Sequence, residues 1–250
     1  MPETSDTVVL VPAYREEQGV GRVIDGLRQG LNPSVLVINR PDGDSTGSVA
    51  GKRGAFVLDQ TGKGKGDAVR MGLEFVRTHW PETRYIGIVD ADCTYPPGAI
   101  GSMRQLLAAD RSLGMVVGRR ENLKNNGATS QAFAWGNRVL ARVHSTLNDV
   151  PLRDPLSGMR LVRAEVVRDW RPRAVGFDIE CELNDYVHNV KRLDIGEVPI
   201  PYFPRVGEKK LRFRDGFTIL LRMIRMAMRR NRPPPHGASF EPHSNLVAQR

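Results

Sequence analysis

The stretch Tyr85-Ile86-Gly87-Ile88-Val89-Asp90-Ala91-Asp92 decides the fold class. An apolar, β-branched run ends abruptly in two carboxylates at i and i+2. At a strand end that spacing points both side chains to one face, because strand side chains alternate. Open α/β sheets bind ligands at the carboxyl edge of their strands. Two carboxylates placed there suit a hard divalent cation, which takes oxygen ligands and bridges to substrate phosphates. Taken alone, an Asp-x-Asp is also what an ordinary acidic turn looks like, so the neighbouring segments carry the decision.

Working outward, Thr7–Val11 reads as a buried strand stopped by Pro12, and Val35–Ile38 and Ala55–Leu58 as two more. Gly114–Val117 gives another strand after the Arg84–Val89 run. Helical periodicity lies between them, at about 20–29, 67–77 and 99–107, with Asp67 as an N-cap for the second of these. Buried strands alternating with helices mean a mostly parallel sheet with helices on both faces. Residues 119–130 read as a long polar loop. Helices follow at about 131–147, 177–191 and 213–230, and a short strand pair near 160–162 and 197–200 extends the sheet. The Pro-rich, apolar-poor stretch 231–250 reads as a disordered tail.

The chain has 250 residues, 40% of them hydrophobic, which suits one α/β domain. The polar start, Met1–Asp6, does not read as a signal peptide. Cys93 and Cys181 lack metal or disulfide spacing, as expected of a reducing compartment. A formal net charge of +9 favours anionic partners. Nucleic acid is disfavoured among these, because no recognised module is present and 6% aromatic content offers few stacking platforms.

Other segments carry polar groups in patterns that can do chemistry. Pro12-Ala13-Tyr14-Arg15-Glu16-Glu17 puts an aromatic and two acids at a strand end. Gly62-Lys63-Gly64-Lys65-Gly66-Asp67 opens a helix and can hold an anion through backbone N–H groups, although a plain turn explains it as well. Asp154-Pro155-Leu156-Ser157-Gly158 joins a carboxylate and a hydroxyl in one turn. Gly176-Phe177-Asp178-Ile179-Glu180 puts two acids at a helix start, where capping accounts for them. Arg205–Arg212 is a basic loop.

Taken in order, these pieces resemble the family 2 glycosyltransferases of GT-A fold, and more narrowly the polyprenol-phosphate sugar synthases of the dolichol-phosphate mannose synthase type. The markers are Val-Pro-Ala-Tyr-x-Glu-Glu (11–17), Gly-Lys-Gly (64–66), Val-Asp-Ala-Asp (89–92), Val-Gly-Arg-Arg (117–120), Gly-Asn-Arg (136–138), Asp-Pro-Leu-Ser-Gly (154–158) and Gly-Glu-Lys-Lys-Leu-Arg (207–212). The resemblance implies a three-layer α/β sandwich over residues 1–212, followed by a basic amphipathic helix at 213–230. It implies transfer of a hexose, with inversion, from a nucleotide diphosphate sugar to a polyprenyl phosphate; a soluble small-molecule acceptor is the alternative. Pro12, Tyr14 and Glu16 would border the nucleoside. Asp90 and Ala91 would line the donor cleft, and Asp92 would hold Mg²⁺ or Mn²⁺ against the diphosphate. Arg120, Arg138 and Lys210 would meet the donor diphosphate and the acceptor phosphate, with Lys65 as a further substrate-binding candidate. Asp154 and Ser157 would shape the sugar and acceptor side.

The sequence departs from the family pattern in two places. At the end of the second strand, Asn39 and Arg40 replace two acids while Asp44 remains, so base selection by Asn39 is open. Thr94 stands where many relatives carry a Gln that helps to bind metal. The helix at 213–230 places Arg222, Arg225 and Arg229 on one stripe among many apolar residues, a pattern that suits a membrane surface as well as a packed core. The expected location is the cytoplasm, with peripheral contact at the inner membrane face.

Overall fold

The computed structural model describes residues 5–121, 131–207 and 213–230, and among them seven strands form one sheet. The strands are β1 (Thr7–Ala13), β2 (Ser34–Asn39), β3 (Phe56–Asp59), β4 (Tyr85–Ile88), β5 (Leu113–Glu121), β6 (Arg160–Arg163) and β7 (Asp194–Pro201). Their order across the sheet is β3-β2-β1-β4-β6-β5-β7. All neighbours are parallel except β6, which runs against both β4 and β5.

The helices are α1 (Val20–Gly30), α2 (Thr46–Lys52), α3 (Lys65–His79), α4 (Ala99–Ala109), α5 (Gln131–Asn148), α6 (Ala164–Val167), α7 (Ile179–Asp185) and α8 (Phe213–Arg230). A π-helical turn, Tyr186–Val190, continues α7. The period-2 pattern of the strands builds a core on each face of the sheet. Val8, Leu10, Leu36 and Ile38 face α3, α6 and α7. Val9, Val11, Val35 and Val37 face α1, α2 and α4. This is the three-layer α/β arrangement the sequence predicts.

Several local expectations need correction. Asp67 does not cap α3: the helix begins at Lys65 after Gly64, and Asp67 sits in its first turn. Its carboxylate accepts from Gln60 Nε2 at 2.8 Å and Arg70 Nη2 at 2.5 Å. Residues 119–121 are not loop but the end of β5; the rest of that segment, 122–130, lies outside the described residues. β6 and β7 both join the sheet but do not pair, because β5 lies between them. The sequence reading missed α2, a short helix with two glycines that leaves only Thr46 and Ala50 buried.

α8 packs on α5 and α7. Ile219 and Met223 are buried with Cys181, beside Leu140, Val143, Leu156 and Phe177. Arg222 Nε donates to the buried carboxylate of Asp178 at 2.7 Å. The arginine stripe is therefore corrected at Arg222, whose charge belongs to an ion pair within the fold. No helix among the described residues is long and apolar enough to cross a membrane. Residues 231–250 lie outside the described residues.

Candidate active site

β1, β2, β4 and β5 end at one edge of the sheet, and the antiparallel β6 begins there. Several of the polar groups singled out in the sequence, Asp90, Asp92 and Lys65 among them, meet at this edge. Asp90 and Asp92 follow β4 directly. Cys93, at φ 63°, turns the chain sharply after them, in a conformation uncommon for a residue with a side chain. Asp92 is 5% exposed. Its Oδ1 accepts from the Thr94 hydroxyl at 2.6 Å and the Thr94 N–H at 3.1 Å. Its Oδ2 accepts from Arg205 Nη1 at 2.6 Å. Burial and the charge of Asp90 raise its pKa above the ordinary aspartate value.

Lys65 reaches the same place from the first turn of α3. Its Nζ lies 2.5 Å from Asp90 Oδ1 and 2.6 Å from Glu180 Oε1. Burial opposes the charge on Lys65, but these two carboxylates outweigh it and hold its pKa above the usual lysine range. Glu180 is 5% exposed, and its second oxygen, Oε2, has no hydrogen-bond partner among the described residues. The sequence reading explained Glu180 as part of a helix start and did not place it in the site. Its buried, one-sided pairing identifies it here.

Of the two readings of the turn before α3, its backbone hydrogen bonds favour the plain turn. The N–H groups of Gly66 and Asp67 donate to Val175 O, at 2.9 and 3.3 Å, so they are occupied by protein backbone instead of facing an anion. Gly64 sits at φ 88°, and a Cβ there would lie 2.3 Å from Val175 O. The glycines thus let two loops touch, and the Lys65 side chain is what reaches the site. Gly158 is constrained similarly: a Cβ would lie 2.1 Å from Asp90 Oδ2.

At the ends of β1 and β2, Tyr14 OH donates to Asp42 at 2.9 Å, and the Arg40 guanidinium lies 4.8 Å from the Tyr14 ring centroid. Arg15, Glu16, Glu17, Asp42, Asp44 and Gly207 line a cavity of about 350 Å³. Thr46 Oγ1 donates to Asp44 and accepts from the Glu16 N–H at 2.8 Å, which ties the ends of β1 and β2 together. Pro12 lies half-buried at the end of β1, and Ala91 is buried between the two acids. Asn39 is 7% exposed; its Nδ2 donates to Asp59 Oδ1 at 3.2 Å.

On the other side, Arg120 grips Asp154 with two bonds of 2.7 Å, from Nε and Nη2, and its backbone N–H adds a third at 3.0 Å. Burial opposes ionisation of Asp154, but Arg120 outweighs it and holds the pKa below the ordinary aspartate value. In the structure the Arg120 fork faces Asp154. Ser157 also turns inward, donating to Gly118 O at 2.6 Å. The buried Arg160 staples the same turn through Ser157 O at 2.9 Å and Pro155 O at 2.6 Å. Arg138 lines an open groove of about 630 Å³ with Val139, Ala141, Arg142, Ser145, Leu152 and Arg153. Lys210 lies outside the described residues.

Mg²⁺ or Mn²⁺ fits this donor set. Among the described residues no three His, Cys, Asp or Glu side chains gather as a complete cage. Cations that bridge to substrate phosphates need only one or two carboxylates from the protein. Asp92 would supply one, beside the Thr94 hydroxyl, and in the structure holds a cationic side chain on Oδ2.

Comparison with known proteins agrees with this geometry. The model of "Glycosyl transferase family 2" matches residues 8–171. "Glycosyltransferase AglJ" of Haloferax volcanii is 32% identical over 235 residues, covering 92% of this chain and 75% of the relative. The same organism's "Dolichyl-phosphate hexose transferase" is 30% identical, covering 82% and 86%. Among solved structures, glucosyl-3-phosphoglycerate synthase from Mycobacterium tuberculosis superposes with a TM-score of 0.70 at 19% identity, over 89% of this chain and 80% of that one. The same enzyme has been crystallised with Mn²⁺, UDP and glucosyl-3-phosphoglycerate. The fold is therefore GT-A-like, and the chain belongs to glycosyl transferase family 2.

Proposed function

We propose that this glycosyltransferase moves a hexose, with inversion, from a nucleotide diphosphate sugar to a polyprenyl phosphate. The observation that carries the donor half is the set Asp90, Asp92, Lys65 and Glu180 at the carboxyl edge of the sheet, with Asp92 and Glu180 buried and Asp90 partly exposed, beside the cavity at Glu16 and Asp44. The nucleoside lies against Tyr14 and Glu16, with Asn39 at the base. Glu180 Oε2 and Asp90 accept from sugar hydroxyls, and Lys65 fixes both carboxylates. Asp92, with Thr94 beside it, would hold the divalent cation, which would supply positive charge against the diphosphate. A phosphate-monoester acceptor is largely ionised near neutral pH. It needs positioning more than a strong base. The Arg120–Asp154 pair and the Ser157 turn shape the wall against which the acceptor is positioned, and Lys210 adds positive charge.

Two features support the lipid acceptor. The groove at Arg138 combines an apolar floor, Val139 and Leu152, with three arginines, Arg138, Arg142 and Arg153. Such a surface suits a phosphate carrying a hydrocarbon chain. In addition, Phe217 and Met228 are well exposed on α8, with Ile224 between them. They follow one face of the helix and support peripheral membrane contact. A related protein named as a dolichyl-phosphate hexose transferase points the same way. The three arginines equally favour a small soluble phosphate, which is the second reading. The deciding experiment incubates the protein with a panel of nucleotide sugars, Mg²⁺ or Mn²⁺, and either a polyprenyl phosphate or 3-phosphoglycerate, with products read by mass. Lipid-linked hexose is expected; product only on the soluble acceptor would overturn the lipid reading.

A further inference from the structure

Arg205 is the unexpected member of the site. Its guanidinium bridges two carboxylates from distant parts of the chain, Asp92 through Nη1 at 2.6 Å and Glu16 through Nη2. The backbone beside it is pinned to the same turn: Phe203 N–H donates to Thr94 O at 2.9 Å and Val206 N–H to Asp92 O at 3.0 Å. The main chain is thus fixed while the side chain, about a quarter exposed, can swing. Arg205 Nε is buried without an acceptor among the described residues, so the fork still has a donor to offer.

These contacts put two cations in competition for one carboxylate. Asp92 Oδ2, the oxygen available to a metal, carries Arg205. A divalent cation arriving there would stand beside a guanidinium, and like charges at that distance in a partly buried site repel strongly. The guanidinium then has to leave Asp92. Held by its fixed backbone, it can travel only a side chain's length, and its natural new partner is an oxyanion that arrives with the metal. A diphosphate supplies one, in the geometry that an arginine fork binds well.

We propose that Arg205 is a charge placeholder that exchanges with the divalent cation: it neutralises Asp92 until a metal–diphosphate pair arrives, then moves to the diphosphate as a further catalytic residue. The inference rests on the donor reading above. It makes metal binding depend on the nucleotide, since metal alone would cost the arginine one of its two carboxylates, leaving it Glu16, while metal with diphosphate replaces the lost partner.

The test measures Mn²⁺ binding by the electron paramagnetic resonance of the free ion, and nucleotide binding by calorimetry with UDP and GDP, for the wild type, Arg205→Gln and Arg205→Lys. Gln keeps hydrogen-bonding capacity without charge. The expected result for Arg205→Gln is a pair of opposite changes: Mn²⁺ alone binds about tenfold tighter, while nucleotide in saturating Mn²⁺ binds about tenfold weaker, within the range of ordinary site-to-site coupling. Arg205→Lys should exclude Mn²⁺ like the wild type and recover part of the nucleotide affinity. A purely structural role would move both affinities in one direction or neither, and that result overturns the proposal. So does Mn²⁺ affinity in the absence of nucleotide that is the same in all three proteins, including the case where none of them binds it. If Arg205→Gln does not fold, Arg205→Lys decides: Mn²⁺ exclusion lost despite the retained charge overturns the proposal. Failure of the wild type to bind either nucleotide in Mn²⁺ would instead sink the donor reading, while the Mn²⁺-only comparison still judges the exchange.

Discussion

Lys65 and Glu180 meet 2.6 Å apart, both nearly buried, although one opens α3 and the other lies in the first turn of α7. Lys65 also serves Asp90, so one ammonium balances two carboxylates. Removing it leaves both acids without their cation. Lys65→Ala should lower stability by about 3–5 kcal/mol, the usual cost of breaking a buried pair from one side. Lys65→Met should be milder, because it preserves volume. Urea unfolding of the two variants checks this; equal, small losses would mean that water compensates the acids.

Glu180→Gln keeps the shape of the side chain and an acceptor oxygen but removes its charge. If Glu180 accepts from sugar hydroxyls, turnover should fall on the order of a hundredfold while nucleoside diphosphate affinity stays within about twofold. Steady-state kinetics paired with UDP titration separates the two. Equal loss of both would move Glu180 from the sugar to the diphosphate.

Asp92→Asn should nearly abolish transfer, and chelator should do the same to the wild type, reversibly. Its effect on stability has the opposite sign. Because burial and Asp90 raise the pKa of Asp92, its ionised form costs stability once the pH exceeds that raised value. No such cost exists below the ordinary aspartate value, about 3.9. The Asn variant should therefore be at least as stable as the wild type at pH 7 without divalent cation. That advantage should vanish as the pH falls toward 4. Thermal melts across pH 4–7 test the sign, and a variant less stable at pH 7 would show that the Arg205 pair outweighs burial.

Asp154 behaves in the contrary way. Arg120 depresses its pKa, so its contribution is present above the ordinary aspartate value and is lost only as the pH falls through the lower folded value. Asp154→Asn should cost about 3 kcal/mol at neutral pH. The gap to the wild type should narrow only below about pH 4. A gap that closes near pH 6 would implicate another group.

On α8, Arg222→Gln should destabilise the fold through Asp178, whereas serine at Phe217, Ile224 and Met228 together should leave the melting temperature nearly unchanged and weaken binding to anionic vesicles. Sedimentation with vesicles of mixed neutral and anionic lipid reads the second effect. Unchanged binding in the serine variant would remove the exposed apolar face of α8 from the membrane reading.

The strands and long helices were legible because burial imposes period 2 or 3.6 on the sequence over several residues. Asp90 and Asp92 were legible because they interrupt such a run. Lys65 was found for an incomplete reason: its glycine neighbours resembled an anion loop, but they serve a close approach to Val175. Glu180 and Arg205 were not assigned, since their roles depend on partners far away in sequence, at Lys65 and Asp92. Helix α2 escaped because its two glycines and single turn of buried contacts leave almost no periodicity.

The reversed direction of β6 has a further effect on how this enzyme can change. Because β6 starts where β4 ends, the Asp154–Gly158 turn enters the site from a strand's beginning, while the residues proposed for the donor come mainly from the first 94 positions. The two stretches of chain meet along the β4–β6 ladder and at Gly158, which lies against Asp90 and donates its N–H to Tyr95 OH at 2.8 Å. On the proposed division of the cleft, substitutions around α5 and the Asp154 turn would retune what receives the sugar while leaving the nucleotide half intact. Gly158 marks the boundary across which the two halves cannot drift independently.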